Sequence, residues 1–264
     1  NKTKIISMGD VGNLNYPYET IKNDLNTLDE LLNEKGSTFN LIKNSKFPMF
    51  LIGQSFFKLK SSGYFLNKIK KFIKDNNKIN DEWNALNILS NNASTVGGYD
   101  LDIINSNNGR NLLLEKLNNN NFNLIFLIGQ DNLDFKKKNE FIIYIGSHGD
   151  KGADCADIVL PGSAYTEQDG HFTNLEGKIQ KSFKASYPPG YAKEDWVIFN
   201  ELSGLLKRKK LYEDKDKLTS SMLNYLKINI KNKKLDEKFD QNFINEKIII
   251  DLVDYYYSNV ISRA

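Results

Sequence analysis

Residues 123–146 read NLIFLIGQDNLDFKKKNEFIIYIG, in which two short apolar runs each end at a glycine. Such runs, rich in isoleucine and stopped by a sharp turn, predict strands that are buried on both faces, as in a parallel sheet. The same pattern occurs at residues 4–8 before Gly9 and at residues 48–52 before Gly53. Four repeats of one pattern predict four strands of a single sheet.

Between these runs lie stretches whose apolar residues recur every three or four positions, which is the spacing of one helix face. They predict helices over residues 21–32, 65–73, 83–93 and 112–117. Strands that alternate with helices are typical of an α/β fold with a largely parallel sheet flanked by helices.

The pattern changes after Asp157. A short apolar run at 158–160 stops at Pro161, and the alternation over 171–183 predicts a β-hairpin. An amphipathic helix then follows Pro188-Pro189-Gly190 and carries Trp196. We therefore predict an α/β domain over residues 1–206.

Residues 207–264 are lysine-rich and weakly patterned, which predicts an irregular helical extension with one helix near 218–228. Three consecutive tyrosines, 255–257, lie near the end of the sequence. Aromatic residues close to a terminus indicate that the tail docks, either on a partner or on its own domain.

Composition restricts the function. The chain has 264 residues, of which 40% are hydrophobic and 26% charged, as in ordinary soluble domains. A single cysteine, Cys155, excludes a disulfide framework, and iron–sulfur clusters or structural zinc need about four ligands. The longest apolar stretch, at 248–250, is far shorter than the roughly 20 residues of a membrane span, and no targeting leader is visible at Asn1. The basic run 207–210 contains no aromatic residue, so no nucleic-acid partner is expected.

Two groups of residues are candidates for chemistry. Gly146, Gly149 and Gly152 space a loop after a strand, as in phosphate-binding loops, but Asp150 and Asp154 would repel a phosphate, which favours a structural loop. In this interpretation His148 is a polar loop residue and not a base.

The second candidate is the carboxylate pair Glu167 and Glu176, which could act as acid and base only if the hairpin brought the two together. A position before Gly177 in a turn favours instead a side chain that satisfies backbone amides. The sequence shows no nucleophile elbow, no paired serine and histidine, and no HExxH. We expect no catalytic residue and no metal site.

Several motifs carry a resemblance. Residues 156–161 (ADIVLP), Glu167, Gly170 and residues 172–180 (FTNLEGKIQ) resemble a signature of the molybdopterin oxidoreductase superfamily. Residues 149–153 (GDKGA), 164–167 (AYTE), 188–196 (PPGYAKEDW) and 261–264 (ISRA) are similar to one branch of it. That branch is the family of large iron–sulfur subunits, of the 75 kDa type, of NADH:quinone oxidoreductase, respiratory complex I.

The resemblance covers only the back half of that family's subunit. In the family the front half carries the cysteine motifs that ligate iron–sulfur clusters, and the rear domain is taken to have lost the molybdopterin cofactor. The resemblance therefore implies no cofactor in this chain and structural roles for its motif residues. These are Gly149, Asp150, Gly152, Asp157, Pro161, Glu167, Asn174, Glu176, Gly177 and Gln180.

The function that the resemblance implies is that of a non-catalytic scaffold in the peripheral, matrix-facing arm of complex I. The chain would not be an enzyme by itself but part of a proton-translocating NADH:ubiquinone oxidoreductase. Because the sequence begins at a strand, we expect a split subunit whose N-terminal, cluster-binding half is a separate partner polypeptide. Other peripheral-arm subunits would be partners too. The expected location is the matrix side of the mitochondrial inner membrane, or the cytoplasmic side of a bacterial membrane.

Two other classes stay open. The superfamily signature alone would suit a molybdopterin-dependent oxidoreductase, such as a formate dehydrogenase-like enzyme, which needs a cysteine, selenocysteine or serine that ligates the metal. Cys155 is more in keeping with a small buried apolar residue. A nucleic-acid or phosphate-binding module would rest on the basic run and the glycine loop, with salt-sensitive binding as its mark.

Overall fold

The computed structural model of the chain describes residues 3–9, 11–103, 110–119, 121–130, 136–206, 208–232, 243–249, 256–257 and 260–263. The chain divides into two compact units, one of residues 1–92 and 235–252, the other of residues 93–234 and 253–264. The boundary expected after residue 206 falls inside the second unit. The division into 1–206 and 207–264 stays a prediction.

The described strands are short. They are β1 (Ile6–Met8), β2 (Glu19–Ile21), β3 (Phe50–Gly53), β4 (Leu86–Leu89), β5 (Leu124–Ile128), β6 (Phe141–Gly146), β7 (Ile158–Pro161), β8 (Gly170–Thr173) and β9 (Ile179–Ser182).

The described helices lie between and after these strands. They are α1 (Leu25–Leu32), α2 (Gly36–Asn44), α3 (Ser62–Asp75), α4 (Thr95–Asp100), α5 (Arg110–Asn118), α6 (Lys151–Asp154), α7 (Asp195–Leu205), α8 (Lys215–Asn232) and α9 (Val260–Arg263). A 3-10 helix occupies Gln54–Lys58. The described part of the chain holds no helix with both the length and the apolarity that a bilayer crossing requires.

Most strand pairing is parallel. β1 pairs with β2, β3 with β4, and β5, β6 and β7 form a parallel three-stranded sheet in that order. β8 and β9 form the predicted antiparallel hairpin, with Phe172 opposite Gln180. The α/β fold with mostly parallel pairing is confirmed.

The prediction of a single sheet is wrong for the described strands. β5 and β6 pair with each other, but β1 and β3 pair with β2 and β4, two strands that the sequence pattern did not predict. An apolar run indicates that a strand is buried, whereas the strand that lies beside it is chosen by contacts distant in sequence.

The helix predicted over residues 83–93 is also wrong. Leu86–Leu89 is strand β4, in register with Phe50–Gly53, and the Nε1 of Trp83 donates to the carbonyl oxygen of Pro48 at 2.9 Å. Over so few residues a spacing of three fits a strand as well as a helix. Pairing with β3 satisfies the strand backbone here and decides between the two.

The first unit has its core around α1 and α3, where Leu25, Phe65 and Ile73 are buried. The helix expected over residues 21–32 begins only at Leu25, because Asp24 caps it: the Oδ1 atom accepts from the amide of Thr27 at 2.8 Å. The ion pair with Lys22 and the bonds from Thr27 lower the pKa of Asp24 to about 2.

Residues 243–249 pack on the start of α3 within the same unit. Ser61 precedes this helix without a side-chain cap of its own, and Glu246 accepts instead, from the amides of Lys60 at 2.8 Å and of Ser61 at 3.4 Å. The hydroxyl of Ser61 accepts from the amide of Ile244 at 2.8 Å, and the ring of Phe243 stacks on Tyr64 with centroids 5.9 Å apart. This part of the tail therefore docks on its own unit.

Of the three consecutive tyrosines, two lie within the described residues. Tyr255 lies outside the described residues, and Tyr256 and Tyr257 are exposed. That these tyrosines dock, on a partner or on their own domain, stays a prediction.

The second unit is built on the β5-β6-β7 sheet. Leu127, Ile142 and Tyr144 form its buried cluster, and helix α7 packs alongside through Phe199, whose ring lies 5.6 Å from that of Phe126. Helices α3, α5, α7 and α8 confirm the helices predicted for those stretches.

Candidate functional site

A cavity of about 410 Å³ lies at the carboxyl ends of β6 and β7, where open α/β sheets commonly bind ligands. It is lined by Gly146, Ser147, His148, Pro161, Gly162, Glu167, Pro189, Tyr191 and Ala192. The structure thus brings together the glycine loop, the loop after Pro161 and the segment after Pro188, which the sequence had marked as three separate motifs.

Tyr144, on strand β6, supports the first loop of the cavity, the glycine loop of residues 146–152. Its side chain is 1% exposed, and its hydroxyl donates to the carbonyl oxygen of His148 at 2.8 Å. A Cβ atom at Gly152 would lie 2.3 Å from the carbonyl oxygen of Gln130 and 3.0 Å from the Tyr144 ring, whereas a Cβ at Gly149 would meet nothing within 4 Å. Close packing therefore requires the glycine at 152 and not the one at 149.

Asp150 occupies the position where a phosphate-binding loop would offer free amides. Its Oδ1 accepts from the amide of Lys151 at 2.8 Å, and it caps the four-residue helix α6. The loop thus supplies its own carboxylate to the backbone donor that an anion would use.

The second loop is closed by a carboxylate as well. The Oε2 of Glu167 accepts from the amide of Ala164 at 2.9 Å. Pro161 pairs with Gly146 across the sheet, and its carbonyl oxygen accepts from the amide of Lys193 at 3.1 Å. These bonds tie the segment that follows Pro188 to the end of strand β7.

Asp157 connects the approach to β7 with the start of β6. Its Oδ2 accepts from the amide of Ile142 at 2.8 Å, and its Oδ1 lies 2.6 Å from the Nζ of Lys137. The Lys137 ammonium and the Ile142 amide hold the pKa of the Asp157 carboxyl below its usual value. A carboxylate held in this way stays charged and is poorly suited to carry protons.

The hairpin residues are organised by Asn174. Its Oδ1 accepts from the amides of Glu176 at 3.0 Å and Lys178 at 2.9 Å, and Gly177 takes a positive φ of 81° between them. The sequence pattern favoured this backbone-satisfying role for Glu176, and the structure gives it to Asn174 because the asparagine side chain lies inside the turn.

The carboxylates of Glu167 and Glu176 do not form a pair. Glu167 precedes strand β8 and lines the cavity, whereas Glu176 lies in the turn that follows this strand. Gln180 is exposed opposite Phe172. The acid–base arrangement that the sequence left open is thus not assembled.

Ser147 and His148 do make a contact that the sequence did not predict. The Oγ of Ser147 lies 2.9 Å from the Nδ1 of His148, at the rim of the cavity. A nucleophilic pair also needs a group that orients the imidazole, and no carboxylate of the described residues bonds to this ring. Within the described residues, the serine and histidine are thus in contact, but the imidazole lacks the orienting carboxylate that catalysis by such a pair requires.

Cys155 lies outside the cavity lining. Its thiol donates to the carbonyl oxygen of Gly152 at 3.3 Å, and its side chain packs against the cluster of Leu127, Ile142 and Tyr144. Burial raises the pKa of the thiol above its ordinary value, which disfavours the thiolate that binds metals. Across the described residues, no three His, Cys, Asp or Glu side chains gather as metal ligands.

Three residues that support the site were missed by sequence reasoning: Tyr144 under the first loop, Lys137 beside Asp157, and Lys215, which pairs with Glu194. Asp195, next to that pair, has a pKa raised by burial and by the Glu194 charge. The Lys137 and Lys215 pairs join elements that are separated along the chain, which no spacing in the sequence indicates. Tyr144 lies only four residues before His148, but its bond depends on how the loop folds back over the strand.

Comparison with known proteins extends these observations. Residues 1–205 match the family model of molybdopterin oxidoreductases. An NADH-quinone oxidoreductase subunit of Rickettsia bellii is 35% identical over 98% of this chain and 38% of that protein. The NADH-ubiquinone oxidoreductase 75 kDa subunit of Reclinomonas americana is 35% identical over 79% of this chain and 30% of its own length. The mitochondrial NADH-ubiquinone oxidoreductase 78 kDa subunit of Candida albicans is 35% identical over 80% of this chain and 28% of its own length. The chain therefore spans about two fifths or less of these relatives.

Proposed function

The chain belongs to the molybdopterin oxidoreductase family, and from that premise we propose that it is a non-catalytic scaffold in NADH-quinone oxidoreductase, respiratory complex I. The names of its relatives support this assignment, because all three are subunits of that enzyme. The chain would be part of an enzyme complex without being an enzyme by itself.

One observation carries the proposal: three polar side chains of the family motifs accept hydrogen bonds from backbone amides of this chain. Asp157 accepts from Ile142, Glu167 from Ala164, and Asn174 from two amides of its turn. Asp157 and Glu167 in this way fix the chain before and after β7, and Asn174 fixes the hairpin turn, which is a structural use of all three side chains.

The residues present do not fit the molybdenum group of the family. A molybdenum ligand in this chain would have to be a cysteine or a serine. The Cys155 thiol instead donates to Gly152 and packs on an apolar cluster, and the hydroxyl of Ser147 at the cavity is hydrogen-bonded to the Nδ1 of His148. We therefore propose that no cofactor is held here and that the iron–sulfur clusters lie on the partner that carries the N-terminal, cluster-binding half of the subunit.

The same proposal extends to the partners and the location of the chain. The partners would be that cluster-binding half and other subunits of the peripheral arm. The location would be the matrix side of the mitochondrial inner membrane or, for a bacterial chain, the cytoplasmic side of its membrane. A separate polypeptide for the cluster-binding half stays a prediction.

Purification of the tagged chain from native membranes under mild detergent tests this function. We expect the chain to elute with NADH oxidation activity and with a cysteine-rich, iron-containing polypeptide, and molybdenum to be far below one atom per chain. The matched variant Cys155→Ala should assemble as well as the parent. Elution away from NADH oxidation, or one molybdenum per chain that Cys155→Ala removes, would favour a molybdopterin-dependent oxidoreductase and contradict the scaffold.

A further inference from the structure

Four aromatic side chains of the second unit are exposed to an unusual degree beside the cavity. Their exposed fractions are 61% for Tyr165, 71% for Phe183, 77% for Tyr187 and 92% for Tyr191. Large aromatic side chains contribute most when buried, and exposed clusters of them mark interaction surfaces. None of the loop-bracing bonds described above uses these four rings.

Two segments carry the rings, and the backbone holds these segments side by side. The amides of Ala185 and Ser186 donate to the carbonyl oxygen of Thr166 at 2.8 and 3.2 Å. This bonding places the residue before Thr166 next to the stretch that carries Phe183 and Tyr187. Tyr191 lines the cavity together with Glu167, so the aromatic surface extends to the rim of the cavity.

Two lysines lie on this surface. The Nζ of Lys181 is 4.7 Å from the ring centroid of Phe183, and that of Lys184 is 4.4 Å from the ring centroid of Tyr187. Within the part of the chain that the structure describes, neither ammonium has a carboxylate at ion-pair distance.

Three acidic groups lie near this surface: Glu167 at the cavity, Asp169 and Glu194. Asp169 accepts from the amide of Lys184 at 2.8 Å, and Glu194 pairs with Lys215. Lys193 is likewise paired, with Glu201 at 2.7 Å. Lys181 and Lys184 therefore stay available to an outside partner, and the charges of Asp169 and Glu167 offset part of their field.

We propose that these four rings and two lysines, the aromatic–lysine surface, dock an acidic protein segment that also carries aromatic or other apolar side chains. Its carboxylates would meet Lys181 and Lys184, and its apolar side chains would pack on the tyrosines and enter the adjoining cavity. Tyrosine-rich centres with a polar rim are typical of protein–protein contacts. The inference goes beyond the scaffold role by naming the surface and the chemistry of the partner.

A titration of the full chain tests the surface directly. The probe is a fluorescein-labelled random copolymer of glutamate and tyrosine, followed by anisotropy, with a lysine–tyrosine copolymer as the charge control. We expect binding to the glutamate copolymer that weakens as salt increases. The double variants Tyr187→Ala with Tyr191→Ala, and Lys181→Glu with Lys184→Glu, should each weaken it about tenfold or more.

Matched variants on the first unit serve as controls: Tyr16→Ala removes another exposed tyrosine and Lys74→Glu reverses another lysine. Absence of binding, or equal weakening by the controls, would overturn the proposal. Binding of a thirty-nucleotide oligothymidylate, or of vesicles containing phosphatidylserine, that is tighter than binding of the glutamate copolymer would assign the surface to a nucleic acid or a membrane. Either result would also overturn the proposal. Co-purification with NADH oxidation is a separate measurement, so a failure of this surface is distinguishable from a failure of the proposed function.

Discussion

Gly152→Ala tests the packing of the cavity loop against the sheet. The added methyl would lie 2.3 Å from the carbonyl oxygen of Gln130, about 1.1 Å short of an ordinary contact at 3.4 Å. The Tyr144 ring, 3.0 Å away on the other side, is buried and cannot swing out. The backbone at Gln130 must therefore move.

Overpacking of this kind costs about 1–3 kcal/mol, and the loss of glycine freedom in the unfolded chain returns about 0.4–1 kcal/mol. We expect Gly152→Ala to lower the free energy of unfolding of the second unit by about 1–2 kcal/mol. The matched variant is Gly149→Ala in the same loop, where the methyl meets nothing within 4 Å and φ is not positive. It should be neutral or stabilise the unit by up to about 1 kcal/mol.

The assay is peptide-resolved hydrogen exchange at increasing urea concentration, which reads strand β6 and helix α3 separately and so distinguishes the two units. Gly152→Ala should reduce protection in β6 and leave α3 unchanged. The reasoning is refuted if Gly152→Ala unfolds within about 0.5 kcal/mol of the parent, or if Gly149→Ala destabilises β6 to the same extent.

Three further outcomes are expected. Glu246→Ala removes the carboxylate that accepts from the amides of Lys60 and Ser61 just before α3 and should lower the stability of the first unit by about 1–2 kcal/mol in urea unfolding, whereas the exposed control Glu82→Ala should change it little. The folded pKa of Asp157 is lowered, so its contribution to the free energy of unfolding is present above the unfolded pKa near 3.9 and is lost as the pH falls through the folded pKa. Asp157→Asn should therefore flatten the acid side of a plot of urea midpoint against pH. An unchanged slope would contradict this. The folded pKa of Asp195 is raised, so its charged form destabilises the fold once the pH rises above about 4. Asp195→Asn should therefore be more stable than the parent by a larger margin at pH 7 than at pH 3. An equal margin at both pH values would contradict this.

The cavity loops show how far the sequence could go. The glycine loop, the run that stops at Pro161 and the hairpin were all predicted at their positions, because each depends on neighbours a few residues apart. The supports of these loops were not. Lys137 pairs with Asp157 across a gap that no spacing rule covers. Tyr144 is only four residues from His148, but the apolar pattern that predicts its strand says nothing of its hydroxyl bond to the loop.

The two errors in the fold have the same origin. Strand β4 was interpreted as a helix, and β1 and β3 were assigned to one sheet with β5 and β6. In each case the local pattern was ambiguous, and the deciding term was the hydrogen bonding of a backbone to a distant strand.

By itself, the sequence determined the α/β class, the hairpin and helices α3, α5, α7 and α8, because apolar periodicity is a property of consecutive residues and expresses which faces are buried. Only the tertiary structure decided which strands pair, that Glu246 binds the backbone just before α3, nearly two hundred residues earlier, and that Gly152 but not Gly149 must be a glycine. The physical reason is that steric room and hydrogen-bond partners belong to the place that a residue occupies in the folded chain, and the same residue type in the same loop can have either requirement.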